Sequence, residues 1–211
     1  MSSADHVVLI VDDDYRVRES LVDLLAASAL RTVAFGNAAE YIAFPKPDVP
    51  ACLILDVELP DINGLELQRQ IGEGYHPPII FLTGHGDIPS SVRAIKAGAL
   101  DFLTKPFSEQ QLLTLVRSAL AQDRDRRAKQ AGLDSLRRRF DSLTPRERDV
   151  LPLVVGGLLN KQAAARLGIS EITLQIHRTN VMRKMQANSL ADLVRMAGCL
   201  DIPVTLGRHS P

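Results

Sequence analysis

The sequence predicts an α/β domain, a doubly wound parallel sheet of five βα units, joined by a helical connector to an all-α domain of four short helices. Three observations predict it. Over residues 1–120, short apolar or β-branched runs alternate with amphipathic helical stretches, which is the pattern of repeated βα units. Beyond residue 142 no strand pattern occurs, and helix-starting and helix-ending residues recur at short intervals. Charge divides as well. Residues 1–120 carry 16 acidic and 9 basic side chains, residues 121–142 carry 4 and 7, and residues 143–211 carry 5 and 9. A total of 211 residues allows one large domain or two small ones.

Strands are expected at 7–11, 32–35, 52–55, 79–82 and 102–103, where apolar and β-branched residues cluster. Helices fall between them at 17–27, 38–43, 65–71 and 92–97, the first carrying Val17, Leu21, Leu24 and Leu25 on one face. A fifth helix starts at Ser108, an N-cap with Gln111 in the capping-box position. Its apolar face is Leu112, Leu115, Val116 and Ala119. In such a sheet, ligands sit beyond the carboxyl ends of the strands.

The connector, residues 121–142, is strongly charged. Leu133, Leu136, Phe140 and Leu143 form a short heptad-like stripe in and just beyond it. Two readings stay open: the stripe pairs with another subunit, or it rests on a neighbouring domain. Gly132 is expected to weaken or bend the helix. Then Thr144, Pro145 and Glu147 supply an N-cap, a first-turn proline and a capping box. Asn160 is expected to cap a second helix that stops at Gly168, Ser170 a third, and Asn188 or Ser189 a fourth. Leu167-Gly168-Ile169 is a tight turn of the helix-turn-helix kind. This domain is expected over 143–199, with a frayed tail over 200–211.

Composition excludes several classes. The longest apolar runs, 7–11 and 151–155, fall far short of the ~20 residues of a membrane span. No basic-then-apolar leader pattern opens the chain, so a cytoplasmic location is expected. Cys52 and Cys199 lack CxxC spacing and read as idle thiols in a reducing compartment.

Polar residues gather at the strand ends. Strand one runs into Asp12, Asp13 and Asp14, strand three into Asp56, strand four into Thr83, and strand five into Lys105-Pro106. Converging carboxylates repel unless a cation sits among them. Mg²⁺ is the candidate, since it takes oxygen ligands and phosphate oxygens. With such a cation and a lysine, Asp56 can attack an activated phosphoryl group.

These residues resemble the receiver domain of two-component response regulators. Val-Asp-Asp-Asp (11–14), Leu-Asp-Val-Glu-Leu-Pro (55–60), Gly64, Leu-Thr-Gly-His-Gly-Asp (82–87) and Lys-Pro-Phe (105–107) carry the match. The resemblance implies that Asp56 is the phosphoacceptor. Asp12, Asp13, Asp56 and the backbone carbonyl of Glu58 would hold Mg²⁺. Lys105 would pair with phosphoryl oxygens across a cis peptide to Pro106, Thr83 would bond one of those oxygens, and Phe102 would be the aromatic switch. Asn63, where many relatives have Asp, suits a tight turn equally. His85 is read as a loop-shaping or signalling residue.

On the third C-terminal helix, Leu174, Val181 and Met185 are expected to face the core. The other side offers Glu171, Ile172, Gln175, Ile176, Arg178 and Thr179, then Arg183 and Lys184. A helix fits the major groove, where Gln pairs with adenine and an apolar side chain meets a thymine methyl. Arg178, Arg183 and Lys184 would contact phosphates. The segment 143–197 resembles the LuxR/NarL-type DNA-binding domain through Leu-Thr-Pro-Arg-Glu-Arg (143–148), Asn-Lys-Gln-Ala-Ala (160–164), Leu-Gly-Ile-Ser (167–170) and His-Arg-Thr-Asn-Val-Met-Arg-Lys-Met (177–185). The likeness implies that Lys161 and His177 lie near the phosphate backbone and that Gln175, Ile176 and Thr179 touch base edges. Ile172 and Leu174 depart from a commoner Arg and Val, so no operator sequence can be borrowed.

In this order the two domains are similar to the FixJ/NarL class. The likeness implies a transcription regulator, not an enzyme, phosphorylated on Asp56 by a sensor histidine kinase. It would bind double-stranded promoter DNA as a phosphorylation-dependent homodimer, with RNA polymerase as a further partner and no membrane partner. In a competing account the unphosphorylated receiver shields the recognition helix. Two other readings are a regulator whose receiver acts by contacts alone and an aspartyl-phosphate phosphohydrolase with Glu58 as its acid. Pro60 and the lack of a substrate-cap insertion oppose the last.

Overall fold

The structure, a computed structural model, describes residues 6–72, 76–84 and 100–203. The expected helix at 92–97, His85 and the tail from 204 lie outside them. The chain divides into two compact units, 1–127 and 128–211.

In the first unit, β1 (Val7–Val11), β2 (Thr32–Phe35), β3 (Ala51–Asp56), β4 (Ile79–Thr83) and β5 (Asp101–Thr104) form one sheet in the order β2-β1-β3-β4-β5. Every neighbouring pair is parallel. Helices α1 (Tyr15–Ala27), α2 (Ala38–Ala43), α3 (Gly64–Ile71) and α4 (Glu109–Asp141) follow in chain order. Side chains of a strand alternate between faces, and the two cores divide accordingly. Val7, Leu9, Val11, Leu53, Leu55, Ile79 and Phe81 pack on one face with Tyr41 of α2 and Leu67 of α3. Val8, Ile10, Cys52, Ile54, Ile80 and Leu82 pack on the other with Leu21 and Leu25 of α1 and Leu112 and Val116 of α4.

Element ends differ from the expectation where polar residues keep regular structure. β3 runs on to Asp56 and β4 to Thr83, because the parallel ladder pairs Asp56 with Leu82 and Thr83 with Thr104. α1 starts at Tyr15, two residues early, since the Asp14 carboxylate accepts from the Arg16 amide at 2.8 Å. Asn63 likewise caps α3, accepting from the Leu65 amide at 2.9 Å. At α4 the Ser108 hydroxyl accepts from the Gln111 amide and the Gln111 side chain from the Ser108 amide, both at 3.2 Å.

The expected boundary at residue 120 falls inside α4, a helix of 33 residues. Gly132 does not interrupt it, because good helix formers flank it on both sides. Asp123 shows why the charged run begins as it does. Its fully buried carboxylate accepts from the Ala51 amide at 2.9 Å, from Arg126 at 2.8 Å and from Arg127 at 2.9 Å. Arg127 also donates to the Pro47 carbonyl at 2.8 Å and Arg126 to the His76 carbonyl. One carboxylate thus ties a turn of α4 to the start of β3 and, through two arginines, to the segments before β3 and β4.

The second unit holds α5 (Pro145–Val155), α6 (Asn160–Leu167), α7 (Glu171–Met185) and α8 (Leu190–Cys199) around Leu143, Val150, Leu151, Val154, Leu174, Val181, Met185 and Leu193. Leu136 and Phe140 pack against this core, so most of the stripe rests on apolar neighbours within the unit. Thr144 and Glu147 complete the capping box of α5. Asn160 does not cap α6. The helix starts at Asn160 itself, and the Gln162 side chain accepts from the Leu159 amide at 3.0 Å. Gly168 ends α6 at φ 65°, a left-handed conformation that favours glycine. Ser170 caps α7 and Ser189, not Asn188, caps α8. Cys52 is buried, which pushes its thiol well above the ordinary range, while Cys199 is exposed. Among the described residues no helix is long and apolar enough to cross a membrane.

Asp123→Ala leaves two arginines and a strand amide without their shared acceptor. We expect a loss of about 3 kcal/mol, read as a lowered urea midpoint of the full chain. An unchanged midpoint would mean that the clamp does not hold the fold.

Candidate functional site

β1 and β3 are neighbours at the point where the sheet order reverses, and their chains leave toward helices on opposite faces. Such a point opens a crevice at the carboxyl ends. Asp12 follows β1 and Asp56 ends β3, so both carboxylates reach that crevice with Asp13 beside them. The three offer ligand oxygens within 4.8 Å of one another. Asp12 and Asp56 are buried and Asp13 is exposed.

Lys105 joins them from the loop after β5. Its Nζ donates to Asp12 Oδ2 at 2.9 Å and to Asp56 Oδ2 at 2.6 Å. The lysine is held by its own amide, which donates to the Thr83 carbonyl at 2.7 Å, and its peptide to Pro106 is cis. The other oxygens are occupied as well. Asp12 Oδ1 accepts from the Asp14 amide at 2.9 Å and Asp56 Oδ1 from the Glu58 amide at 3.0 Å. Arg18 fixes the turn by donating to the Asp12 carbonyl at 2.6 Å.

Burial pushes the Asp12 carboxyl above its usual range and the Asp56 charge adds to this, while Lys105 opposes it. Burial presses the Lys105 ammonium down, but its bonds to the two carboxylates outweigh that and hold it up. One ammonium therefore faces three carboxylates. The excess of negative charge and an all-oxygen donor set fit a small divalent cation, and Mg²⁺ in particular.

Gly64 sets the distance of closest approach. A Cβ there would lie 2.3 Å from the Asp56 carbonyl oxygen, and the Gly64 amide donates to the Val57 carbonyl at 2.9 Å. Thr83, buried, ends β4. Phe102 of β5 lies half-buried against the core, its ring 6.2 Å from that of Phe81.

The second group of expected residues lies on α7. Ile172 is 76% exposed and Ile176 57%. Gln175, Thr179 and Arg183 are exposed, as is Lys161 on α6, whereas His177 and Arg178 are half-buried. Lys184 turns elsewhere. It follows Gln175 by nine residues, about half a turn round the helix, and donates to Glu147 at 2.7 Å and to the Ser142 carbonyl at 3.2 Å. Its ammonium is thus engaged within the second unit. Burial raises the Glu147 carboxyl, but its bonds to Lys184 and Thr144 outweigh that and leave it below its usual range.

Asp123, Arg18 and the structural part played by Asn160 were not singled out from the sequence. Asp123 lies in a charged run without apolar periodicity, and Arg18 is one polar residue of an amphipathic helix whose spacing marks only its apolar face. Asn160 has the composition of a helix cap, yet its side chain accepts from Arg178 at 3.1 Å and donates to Gln175 at 2.7 Å, both on α7.

Mg²⁺ should stabilise the wild-type chain by about 2.7 kcal/mol at a hundredfold excess over Kd, read as a raised thermal midpoint. A carboxyl held above its ordinary value costs stability as pH rises through that raised value. Asp12→Asn should therefore raise the metal-free midpoint at neutral pH and reduce the response to Mg²⁺. Equal responses in both proteins would remove Asp12 from the site.

Two family models match the chain: the response regulator receiver domain over residues 8–117 and the bacterial regulatory proteins of the luxR family over residues 141–197. Nodulation protein W of Bradyrhizobium diazoefficiens is 50% identical over 202 residues, covering 95% of this chain and 89% of that protein. The response regulator protein TodT of Pseudomonas putida is 45% identical, over 93% of this chain and 87% of its own. The solved structure of the response regulator StyR aligns with a TM-score of 0.83 at 43% identity, over 92% of this chain and 98% of its own. On these matches, and on the acidic crevice and helix-turn-helix already described, the chain belongs to the two-component response regulators that carry a LuxR-type DNA-binding domain.

Proposed function

We propose that Asp56 is phosphorylated by a sensor histidine kinase and that this change governs binding of promoter DNA by α7. The observation that carries the reading is the Lys105 ammonium, which bridges Asp12 and Asp56 with a third carboxylate beside them. A carboxylate oxygen of Asp56 attacks phosphorus while the bond to the donor breaks, leaving an acyl phosphate. Lys105 is already at hydrogen-bond distance from Asp56 and follows the charge onto the phosphoryl oxygens. Asp12, Asp13, Asp56 and the backbone carbonyl of Glu58 are the groups that would hold Mg²⁺. When bound, the ion neutralises charge on the transferring group.

Thr83 then bonds a phosphoryl oxygen, and Phe102 swings inward beside it. This biases a two-state surface at a distance from the DNA. The output is transcriptional and not catalytic. Residues 1–120 act as receiver, 121–142 as connector and 143–199 as the DNA-binding domain, in the cytoplasm. A phosphorylated homodimer sets two α7 helices on half-sites about one helical turn apart, where RNA polymerase is a further contact. Gln175, Ile176 and Thr179 meet base edges, with Lys161, His177, Arg178 and Arg183 toward phosphates.

The test is duplex selection from a randomised library, followed by affinity and sedimentation measurements with and without a small phosphodonor. Phosphorylated protein should sediment as a dimer and bind the selected duplex at least about tenfold more tightly, a difference of about 1.4 kcal/mol. Equal affinity and mass in both states would favour a receiver that acts by contacts alone.

A further inference from the structure

We infer that the first unit holds a binding site for a small organic oxyanion, a carboxylate or phosphate on an apolar body, between His6 and the guanidiniums of Arg117 and Arg124. A cavity of about 370 Å³ opens there, with His6, Ser28, Leu30, Arg117, Leu120 and Arg124 in its lining. That volume falls within the roughly 300–1,000 Å³ of small-molecule sites. The site goes beyond the reading of Asp56 and does not depend on it. His6 stands just before β1 and Asp12 just after it. A whole strand separates the two places, about 20 Å at about 3.3 Å per residue.

His6 is 6% exposed, and neither of its ring nitrogens has a hydrogen-bond partner. An imidazole in any protonation state carries at least one N–H. Native proteins bury few polar groups in this condition, because each forfeits its bonds to water. A packing role alone would suit another apolar side chain, such as the Leu30 and Leu120 that line the same cavity. An acceptor brought into the cavity would satisfy the ring.

The two arginines decide what kind of acceptor it is. They lie seven residues apart on α4, close to two turns, so both project from one stripe of the helix. Both are exposed, and neither forms an ion pair or a side-chain hydrogen bond among the described residues. Arg126 and Arg127, close by on the same helix, are both drawn to Asp123. No acidic side chain lines the cavity. Two unbalanced cations beside a buried N–H select an anion. The guanidinium fork matches the paired oxygens of a carboxylate or a phosphate, and Leu30 and Leu120 give the rest of the ligand an apolar wall.

The test is calorimetric titration of the full chain with four probes: benzoate, phenyl phosphate, inorganic phosphate and phenol. Neither Mg²⁺ nor a phosphodonor is present, so the result is separate from the chemistry of Asp56. Benzoate or phenyl phosphate should bind saturably, at one site per chain. Inorganic phosphate lacks the apolar body and phenol lacks the charge, so each should bind about fivefold more weakly or worse. Arg117→Met and Arg124→Met, combined in one chain, remove both cations from exposed positions of α4. This protein should bind the preferred probe about tenfold more weakly or worse. His6→Phe keeps the bulk of the ring without its N–H and should weaken binding about threefold or more.

No saturable binding of either benzoate or phenyl phosphate overturns the site. So does a double arginine variant that binds as tightly as the wild type, because the probe then sits elsewhere. Inorganic phosphate held as tightly as phenyl phosphate would overturn the organic ligand in favour of the free ion. Phenol held as tightly as benzoate would overturn the anion. A His6→Phe protein that binds as wild type overturns the part given to His6, and if that variant does not fold, the arginine variant and the four probes decide without it.

Discussion

The Lys105 ammonium lies between two buried carboxylates, and most of the first unit serves to keep it there. β1 and β3 must be adjacent and parallel for Asp12 and Asp56 to meet. β4 must reach Thr83, because its carbonyl accepts from the Lys105 amide and so sets the height of the lysine. The loop before α3 must pass close against β3, which is why a glycine stands at 64, its missing Cβ leaving room for the Asp56 carbonyl. The arrangement is under electrostatic tension, since one cation cannot balance three carboxylates. A site of this kind is prepared for charge to arrive, whether as a cation among the carboxylates or as a phosphoryl group beside the lysine.

Much of this was legible in the sequence, and the reason is geometric. In a parallel sheet buried on both faces, each strand is an apolar run, and its functional residue is the first polar one at the carboxyl end. Asp12, Asp56, Thr83 and Lys105 could be placed that way because apolar runs precede the first three and Lys105-Pro106 closes the short run of β5. Element ends were less legible. Asp56 and Thr83 belong to their strands because the backbone ladder continues beneath polar side chains, and hydropathy does not report backbone pairing. Asp123 stayed hidden for the opposite reason. A buried carboxylate in a run of arginines reads as solvated surface until β3 is seen to offer it an amide.

In the second unit the helix caps followed the sequence except at Asn160, and the exception is informative. An asparagine beside a helix start has the composition of a cap, yet α6 leaves that amide free for α7. Lys184 shows a related effect. A basic residue near the end of a recognition helix reads as a phosphate contact, but helical rotation carries it to the buried Glu147. That ion pair fastens α7 to the capping box of α5 from behind. Sequence spacing gives the face of a helix to within a residue or two, whereas the partner awaiting each polar side chain is a tertiary fact.

The account stands on Asp56 being the group that accepts a phosphoryl. Intact mass of the full chain after incubation with Mg²⁺ and a small phosphodonor measures this directly, with Asp56→Asn alongside. The account predicts one added phosphoryl group on the wild type and none on Asp56→Asn. No addition to the wild type, or an equal addition to both proteins, would contradict it.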